Sequence, residues 1–269
     1  MIRNIEHNNL LQFENLSKFK TLTHFSTTVR GGVSEGDYTS FNLGFYSGDN
    51  PGCVYENRSR LASLINVPLQ DLYIPYQTHG DKICVLDSDF MVLSDNDKYL
   101  SLNGVDALIT DQKNICIGVT TADCVPVLIY DPAKNVLATI HAGWKGTVAK
   151  IVEKTVAKMA DAFGCDPQDM YAGIAPCISQ KCFEVGEEVD DVFKEAGFHM
   201  NDIAYHNSGT GKTHIDLRQA NKILLNNAGV LSHHIETSDL CTYSDSDMFF
   251  SARRQTIHSG RMVTGGVLR

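Results

Sequence analysis

The sequence predicts a mixed α/β fold (α/β or α+β, with a mixed sheet) whose strands and helices pack in layers as one domain over residues 1–269. Two features predict it: a central series of short apolar runs of strand length, and three longer segments with helical periodicity. A chain of 269 residues, 43% of them hydrophobic, can bury a sizeable core. No repeat, linker or shift in composition marks a second domain.

The apolar runs are rich in β-branched side chains and are separated by turn residues, which is typical of strands. The turn from Asp131 to Asn135 is short enough for a hairpin, so part of the sheet should be antiparallel. The predicted strands cover residues 72–77, 82–87, 106–110, 115–121, 125–131 and 136–142.

Three helices follow from apolar positions at helical spacing and from their end signals. The first spans 147–163, after Gly146, and stops at Gly164. The second spans 186–196, with acidic residues in its first turn, where the helix dipole favours them. The third follows Asp216 and spans 217–229. No glycine fingerprint of a Rossmann or P-loop nucleotide site is present.

Charge and composition exclude several classes of protein. A net charge of −9 argues against a nucleic-acid partner, since such binding needs clustered basic side chains. No signal peptide and no run of ~18–20 apolar residues is present, so we expect no membrane association. The eight cysteines form no CxxC pair, and reduced thiols are the expected state. We therefore expect a cytoplasmic protein.

Three polar segments interrupt the apolar pattern where strands give way to loops: 75–81 with His79, 120–127 with Cys124, and 140–146 with His141. Two imidazoles and one thiolate suit Zn²⁺ with its fourth position open, as in catalytic sites. The wide spacing is not that of a local metal-binding module. Two alternatives therefore stand: a buried cysteine beside two hydrogen-bonded histidines, and a Cys–His nucleophile pair.

Eight segments in order along the chain resemble the YfiH-type, laccase-domain family. Members of that family carry the labels polyphenol oxidase and multicopper oxidase, and some are regarded as purine nucleoside phosphorylases with adenosine deaminase activity. The segments span nearly the whole chain: TTVRGGVSEGDYTSFNLG (27–44), ENRSRL (56–61), QTHGD (77–81), GVDALIT (104–110), TADCVPV (121–127), HAGWKGT (141–147), GIAPCI with CFEVG (173–186), and CT with FFSARR and SGRM (241–262).

The resemblance implies a three-layer α/β sandwich and a zinc ion on His79, Cys124 and His141. The older family label would make the metal copper. The resemblance also implies phosphorolysis of adenosine, inosine and 5′-methylthioadenosine to a free base and ribose 1-phosphate, with adenosine deamination at the same site. The expected partners are therefore small molecules, a purine nucleoside and phosphate.

Further residues of these motifs are candidates for substrate contacts. Arg58 is the first choice for phosphate, because a guanidinium offers a planar fork that matches phosphate oxygens. Asp123 could orient a ligand histidine or accept backbone N–H bonds in its turn. Gln77 and Asn42 could bind a purine edge or a ribose hydroxyl, or could cap turns.

The segment after His141 allows two interpretations. Lys145, with Gly143 and Gly146, leads into a helix whose free N–H groups could hold an anion, but the glycines could equally make a tight turn, which we favour. For Trp144, a core position is favoured over base stacking. Arg30 binds an anion or pairs with the acidic surface.

Three competing functions remain at this point. Copper-dependent phenol oxidation is disfavoured, because multicopper sites need HxH clusters and the ten histidines of this chain form none. A cysteine amidohydrolase acting on a cell-wall precursor would use Cys124 as its nucleophile. A metal-stabilised binding protein would have no activity. Metal content and a substrate screen separate them.

Overall fold

The computed structural model describes residues 2–4 and 10–269, which form two six-stranded sheets and one small sheet. Sheet I contains, in spatial order, β1 (Ile2–Asn4), β2 (Leu10–Phe13), β3 (Leu22–Thr27), β15 (Met262–Leu268), β7 (Cys116–Thr121) and β4 (Leu72–Tyr73). Sheet II contains β14 (Ile235–Thr237), β10 (Tyr171–Ile174), β8 (Val125–Asp131), β9 (Val136–Ala142), β6 (Ala107–Thr110) and β5 (Ile83–Leu86). Sheet III contains β11 (Glu184–Val185), β13 (Lys212–Ile215) and β12 (Ala204–Asn207).

Both large sheets are mixed, as the sequence predicts. The strand pairs β4–β7, β5–β6 and β10–β14 are parallel, and the other pairs are antiparallel. The predicted hairpin is confirmed: β8 and β9 pair antiparallel from Val125 opposite Ala142 to Asp131 opposite Val136. Both strands have the predicted bounds, and every residue in them is buried.

The helices lie outside the sheets. In the part of the chain that the structure describes, no helix is long and apolar enough to cross a bilayer. The helices are α1 (Glu14–Ser17), α2 (Pro51–Leu64), α3 (Ser88–Met91), α4 (Asp95–Ser101), α5 (Trp144–Val148), α6 (Ile151–Phe163), α7 (Glu187–Glu195), α8 (Met200–Ile203), α9 (Leu217–Asn227) and α10 (Ala252–Gln255).

Three apolar clusters show how these elements stack. Leu61 and Ile65, at the end of α2, pack on one face of sheet I. Ile117 from the other face of sheet I meets Leu128 from sheet II. The far face of sheet II packs against α6 and α9. The order helix–sheet–sheet–helix has one layer more than the resemblance implies, because both large sheets are covered on both faces.

Two predicted elements need correction. The strand predicted over 72–77 ends at Tyr73, since Pro75 has no N–H for a sheet and the following N–H groups turn to a carboxylate described below. The helix predicted over 147–163 is two helices: α5 begins earlier, at Trp144, and the chain turns at Lys150, which has a left-handed backbone with φ 60°. The change of direction at Lys150 lets α6 lie along sheet II, while α5 stays beside the loop at Gly80.

The other helix predictions hold within two residues. The segment predicted over 186–196 is α7, and the segment predicted over 217–229 is α9, whose first turn is capped by the Asp216 carboxylate. Helix α2 was not among the predicted helices. Its start is nevertheless signalled by Asn50, which accepts a hydrogen bond from Gly52, and by Pro51 in the first turn.

Candidate active site

His79, Cys124 and His141 meet at one point of the fold. His79 lies in the loop after β4, Cys124 immediately precedes β8, and His141 lies in β9. The hairpin register places Pro126 opposite His141, which brings Cys124 beside the histidine. One donor atom from each of the three residues lies within 4.8 Å of the others. In the described part of the chain no other group of three such donors converges in this way.

Asp106, which the sequence analysis did not single out, holds this arrangement together. Its buried carboxylate accepts hydrogen bonds from the backbone N–H groups of Thr78 (3.3 Å), His79 (3.0 Å) and Gly80 (2.8 Å). The same carboxylate lies 2.7 Å from Nδ1 of His141. This contact leaves Nε2 of His141 to face a metal, the usual arrangement of a carboxylate behind a ligand histidine.

Cys124 and His141 shift each other's pKa in the direction that favours a thiolate beside a protonated imidazole. Burial alone would raise the pKa of Cys124, but the charge and hydrogen bond of His141, followed by those of His79, lower that pKa to about 6. Burial alone would lower the pKa of His141, but Cys124 and Asp106 raise that pKa to about 9. A thiolate at neutral pH is the form that binds a metal ion or acts as a nucleophile.

Gly143 leaves the space that the ligands need. A Cβ at this position would lie 2.9 Å from Sγ of Cys124 and 3.4 Å from Cδ2 of His79. Its backbone is ordinary, with φ −65° and ψ 171°, so the need for glycine here is steric. This close approach supports the interpretation of the Gly143 segment as a tight turn at the site.

Asp123 forms no hydrogen bond with His79 or His141; the carboxylate that contacts His141 is that of Asp106. The Asp123 carboxylate accepts hydrogen bonds from the hydroxyls of Thr242 (2.6 Å) and Ser251 (2.9 Å) and from the N–H of Arg253 (2.7 Å). It therefore fixes the C-terminal segment against the site. The predicted alternative of N–H bonds within its own turn is wrong as well, since these partners come from distant parts of the chain.

His79, Cys124 and His141 open onto a cleft of about 610 Å³. One wall carries the aromatic side chains of Phe45, Tyr46 and Tyr76. The rings of the two tyrosines meet edge to face, with their centroids 4.4 Å apart. None of these three aromatic residues was predicted to contact a ligand. The remaining lining residues include Arg58, Gln77, Thr120, Thr121, Ala122, Asp123, Ile178, Phe183, Arg253 and Arg261.

Arg58 lies in this cleft, as a phosphate-binding residue must. Its Nε donates to the carbonyl oxygen of Leu43 (2.9 Å), and its guanidinium lies 4.2 Å from the centroid of the Phe45 ring. Burial lowers the pKa of Arg58 to about 10, so it keeps its charge at neutral pH. Its two terminal nitrogens have no hydrogen-bond partner among residues 10–269.

Arg261 is a second cation of the cleft that sequence reasoning missed. Both arginines contact Leu43: Arg58 donates to its carbonyl oxygen, and the N–H of Leu43 donates to the carbonyl oxygen of Arg261. One terminal nitrogen, Nη1, donates to the carbonyl oxygens of Ser259 (2.5 Å) and Gly260 (3.0 Å). Burial lowers the pKa of Arg261, and the nearby Cys124 and Asp123 only partly offset this lowering. Arg261 thus joins Arg58 as a source of positive charge for an anionic ligand.

Two predicted substrate contacts are corrected by the structure. Asn42 is fully buried and outside the cleft lining. Its amide donates to Ser47 and Asp49 and accepts from the N–H groups of Gly44 and Arg261, so none of its hydrogen-bonding capacity is left for a ligand. Lys145 is exposed and lies outside the cleft lining, with Nζ 5.6 Å from the ring centroid of Trp144.

Gln77 stays at the wall of the cleft, but its amide is largely engaged. Its Oε1 accepts from the N–H (2.7 Å) and hydroxyl (2.8 Å) of Thr120, and its Nε2 donates to the carbonyl oxygen of that residue (2.8 Å). It therefore fastens the loop that carries His79 to the end of β7, and one amide N–H remains for a ligand.

The last two candidates lie outside the cleft. Arg30 forms an exposed ion pair with Asp247 at 3.3 Å, which agrees with the surface-pairing alternative. Trp144 is partly buried against the apolar cluster between sheet II and the helices, so its core role is confirmed. Asp106 and Arg261, which the sequence analysis passed over, both lie in segments quoted for the resemblance, GVDALIT and SGRM.

Comparison with known proteins identifies close relatives over the full chain. A family model described as multi-copper polyphenol oxidoreductase laccase matches residues 23–269. A protein of Bacteroides thetaiotaomicron named purine nucleoside phosphorylase is 43% identical over 98% of both chains. A protein from an unknown prokaryotic organism, named adenosine deaminase RL5, is 44% identical over 90% of this chain and 92% of that one. The crystal structure of YfiH from Bacillus licheniformis, 31% identical, superposes with a TM-score of 0.89 and covers 100% of this chain and 99% of its own.

Proposed function

The chain belongs to the multi-copper polyphenol oxidoreductase laccase family, and on this premise we propose that it is a zinc-dependent purine nucleoside phosphorylase that also deaminates adenosine. Of the two relatives that match almost its whole length, one is named a purine nucleoside phosphorylase and the other an adenosine deaminase. The observation that carries the proposal is the convergence of His79, Cys124 and His141 on a cleft that also contains Arg58 and Arg261, which form no ion pair with a carboxylate of the described residues.

The donor set fits one zinc ion. Two imidazoles and a thiolate are common ligands of Zn²⁺, and three protein ligands leave a position open toward the cleft. Asp106 orients His141, and Gly143 leaves room beside Cys124. A zinc ion bound there would supply a Lewis acid that polarises a substrate atom or a water molecule.

The cleft has the size and the charge for a nucleoside with phosphate. In phosphorolysis a phosphate oxygen attacks C1′ of the ribose, the bond from C1′ to the base breaks, and the base leaves with the bond's electrons. Arg58 and Arg261 hold the phosphate with N–H donors and offset its charge as it approaches the sugar. The rings of Tyr46 and Tyr76, which meet edge to face, provide aromatic surface against which the purine packs.

Deamination of adenosine uses water in place of phosphate. Water adds to C6 of the purine and ammonia leaves, so this reaction needs no phosphate-binding group. The residues of the ligand trio serve both reactions, while Arg58 serves phosphorolysis. This division makes the two activities separable by mutation.

Copper-dependent phenol oxidation is not favoured. Several copper ions would need several clusters of histidine and cysteine donors. Within the described residues one such cluster is present. Its mixed imidazole and thiolate donors also serve zinc, so the family description by itself does not decide the metal.

A product assay tests the proposal. The purified protein is incubated with inosine, with and without phosphate, and with adenosine in the absence of phosphate, and the products are separated by liquid chromatography. We expect hypoxanthine and ribose 1-phosphate from inosine only when phosphate is present, and inosine from adenosine. The protein should carry one zinc ion per chain, and Cys124→Ser and His141→Ala should lose the metal and both activities.

Cys84→Ala is the matched control, because Cys84 is a half-buried thiol outside the cleft. It should keep metal and activity. Zinc retained in all the ligand variants would show that the ligand set is wrong. Absence of both reactions in zinc-loaded protein would refute the proposal and leave the alternative of Cys124 as the nucleophile of an amidohydrolase.

A further inference from the structure

Two cysteines outside the ligand trio lie side by side. The parallel strands β10 and β14 are followed by segments that stay adjacent, and Cys177 and Cys241 form a parallel bridge there. Bridge partners have their Cα atoms roughly 5 Å apart, within the range that a disulfide spans. Both thiols are free in the structure. The two residues are thus placed for a covalent link that needs little movement of the backbone.

A buried cation lies against this pair. Arg218, at the start of α9, donates from Nε to Sγ of Cys177 at 3.3 Å. Its other hydrogen bonds reach the backbone oxygens of Cys177 (3.2 Å), Ser238 (2.9 Å) and Leu240 (2.8 Å). No carboxylate of the described chain lies within 4.0 Å of its guanidinium. The charge of Arg218 therefore offsets part of the cost of ionising Cys177, although burial outweighs it.

The two thiols differ in their surroundings, which assigns them different roles. Cys177 is fully buried, and burial raises its pKa to about 12. Cys241 keeps 6% of its surface exposed, and its Sγ accepts from the N–H of Ser179 at 3.3 Å. Burial alone would raise the pKa of Cys241, but hydrogen bonds from Ser179 and Ser244 lower it to about 7. Its partial exposure, its hydrogen bond from Ser179 and its lower pKa together assign Cys241 the role of the thiol that meets a small oxidant.

From this geometry we propose that Cys177 and Cys241 are a modification site that a hydroperoxide converts to a cross-strand disulfide. The Cys241 thiolate attacks one peroxide oxygen, the O–O bond breaks, and a sulfenic acid forms, while the other oxygen leaves, after protonation, as water from hydrogen peroxide or as an alcohol from an organic hydroperoxide. The sulfur of the Cys177 thiol then attacks the sulfenic sulfur, the S–S bond forms, the S–O bond breaks, and the thiol proton passes to the departing hydroxide, which leaves as water. The two sulfurs lose two electrons in total, which reduce the peroxide.

The bond would join the two segments that hold Asp123 beside Cys124. The N–H of Ile178, next to Cys177, donates to the carbonyl oxygen of Asp123 at 3.0 Å. The hydroxyl of Thr242, next to Cys241, donates to the carboxylate of Asp123 at 2.6 Å. A disulfide would therefore fasten one side of the cleft covalently. The inference rests on these contacts and does not depend on the proposed reaction.

Disulfide mapping tests the inference. Zinc-loaded protein is treated with a small molar excess of hydrogen peroxide near neutral pH, free thiols are blocked with N-ethylmaleimide, and a non-reducing digest is analysed by mass spectrometry. We expect the loss of two of the eight free thiols, one linked peptide pair containing Cys177 and Cys241, and recovery of both thiols with dithiothreitol.

Three single variants, each checked for fold by circular dichroism, sharpen the test. Cys177→Ala should leave Cys241 as a sulfenic acid that dimedone traps. Cys241→Ala should leave Cys177 reduced. Cys182→Ala is the matched control, because this neighbouring thiol lies 3.4 Å from Oγ of Ser244, and it should keep the Cys177–Cys241 link. A linked peptide containing Cys182, or oxidation confined to Cys124, would overturn the inference.

Discussion

Asp106 shows at the scale of single residues how one carboxylate can organise a candidate metal site. It binds both the loop that carries His79 and the imidazole of His141, although its position in the sequence is next to neither. Asp106→Asn keeps the shape of the side chain but removes its charge and one acceptor oxygen. Because groups behind ligand histidines typically contribute tenfold to a hundredfold to metal affinity, we expect a loss of about that size in zinc affinity.

Competition with a chelator of known affinity measures this change. Asp81→Asn is the control, because Asp81 belongs to the same loop but forms an exposed ion pair with Lys154, which contributes little. Equal zinc affinity in wild type and Asp106→Asn would show that the carboxylate serves the fold and not the metal.

Arg58 allows the two proposed reactions to be separated. Arg58→Lys keeps a positive charge but loses the planar fork, so phosphorolysis of inosine should show a higher KM for phosphate. A lost charge-assisted contact corresponds to roughly 1.5–3 kcal/mol, or about tenfold to a hundredfold. Deamination of adenosine should change less, since its nucleophile is water. Steady-state kinetics with varied phosphate checks the expectation, and an equal loss of both reactions with zinc still bound would contradict it.

His24 should make the stability of the protein depend on pH. It is buried in sheet I, where its Nε2 accepts the N–H of Phe13 at 2.9 Å, and burial lowers its pKa to about 4. The unfolded chain, with a pKa of 6.5, binds the proton more readily. The stabilisation that neutral His24 provides is therefore present above pH 6.5 and is lost as the pH falls toward 4. Between pH 7 and pH 5 the free energy of unfolding should fall by about 2 kcal/mol.

Urea unfolding at several pH values measures this loss. His24→Gln removes the titrating group and retains hydrogen-bonding atoms, so its free energy of unfolding should fall less between pH 7 and pH 5 than that of wild type. The comparison isolates His24, because all other histidines are common to both proteins. Parallel pH profiles in the two proteins would contradict the assignment.

At the scale of elements, the β8–β9 hairpin and the turn after β9 set the geometry of the site. The hairpin register brings Cys124 and His141 together, and Gly143 ends the strand without a side chain. Gly143→Ala introduces no backbone strain, but its Cβ would meet Sγ of Cys124 at 2.9 Å. We expect zinc affinity to fall at least about tenfold, because ligand positions are constrained to a few tenths of an ångström in such sites.

Gly80→Ala is a matched control in the neighbouring loop. Its Cβ would have no contact closer than 3.6 Å, and the substitution keeps the N–H that donates to Asp106. Zinc titration of the two variants, alongside circular dichroism to confirm the fold, makes the comparison. Equal affinities would show that the loop moves easily and that the clearance at Gly143 has no role in binding.

At the scale of the whole molecule, the two large sheets share an apolar interface and each is covered by helices on its other face. A shared core of this kind should unfold cooperatively, so the single domain over residues 1–269 stays a prediction that one experiment can test. Trp144 is the sole tryptophan and packs, partly buried, against the core cluster beside sheet II. Its fluorescence and the far-ultraviolet circular dichroism should give the same urea midpoint, and separated transitions would indicate two units.

The sequence by itself determined the mixed α/β class and the β8–β9 hairpin, and it singled out His79, Cys124 and His141 as candidate ligands. Each of these depends on a local signal: strand-length apolar runs, a short turn, and soft or borderline ligands at strand ends. The resemblance, which also rests on local motifs, indicated the family to which the chain belongs. Helices α7 and α9 were predictable because their apolar periodicity coincides with clear end signals.

Only the tertiary structure decided how these residues are supported and what surrounds them. Asp106 acts on His79 and His141 across 27 and 35 positions of sequence, and no local pattern encodes such a contact. In the sequence, Asn42 could contact a substrate and Asp123 could orient a histidine. In the fold, both side chains instead form hydrogen bonds with distant residues and thereby hold loops in place. The reason is physical: a polar side chain serves whichever donors and acceptors the fold brings within about 3 Å, and that proximity arises only when the sheets are assembled.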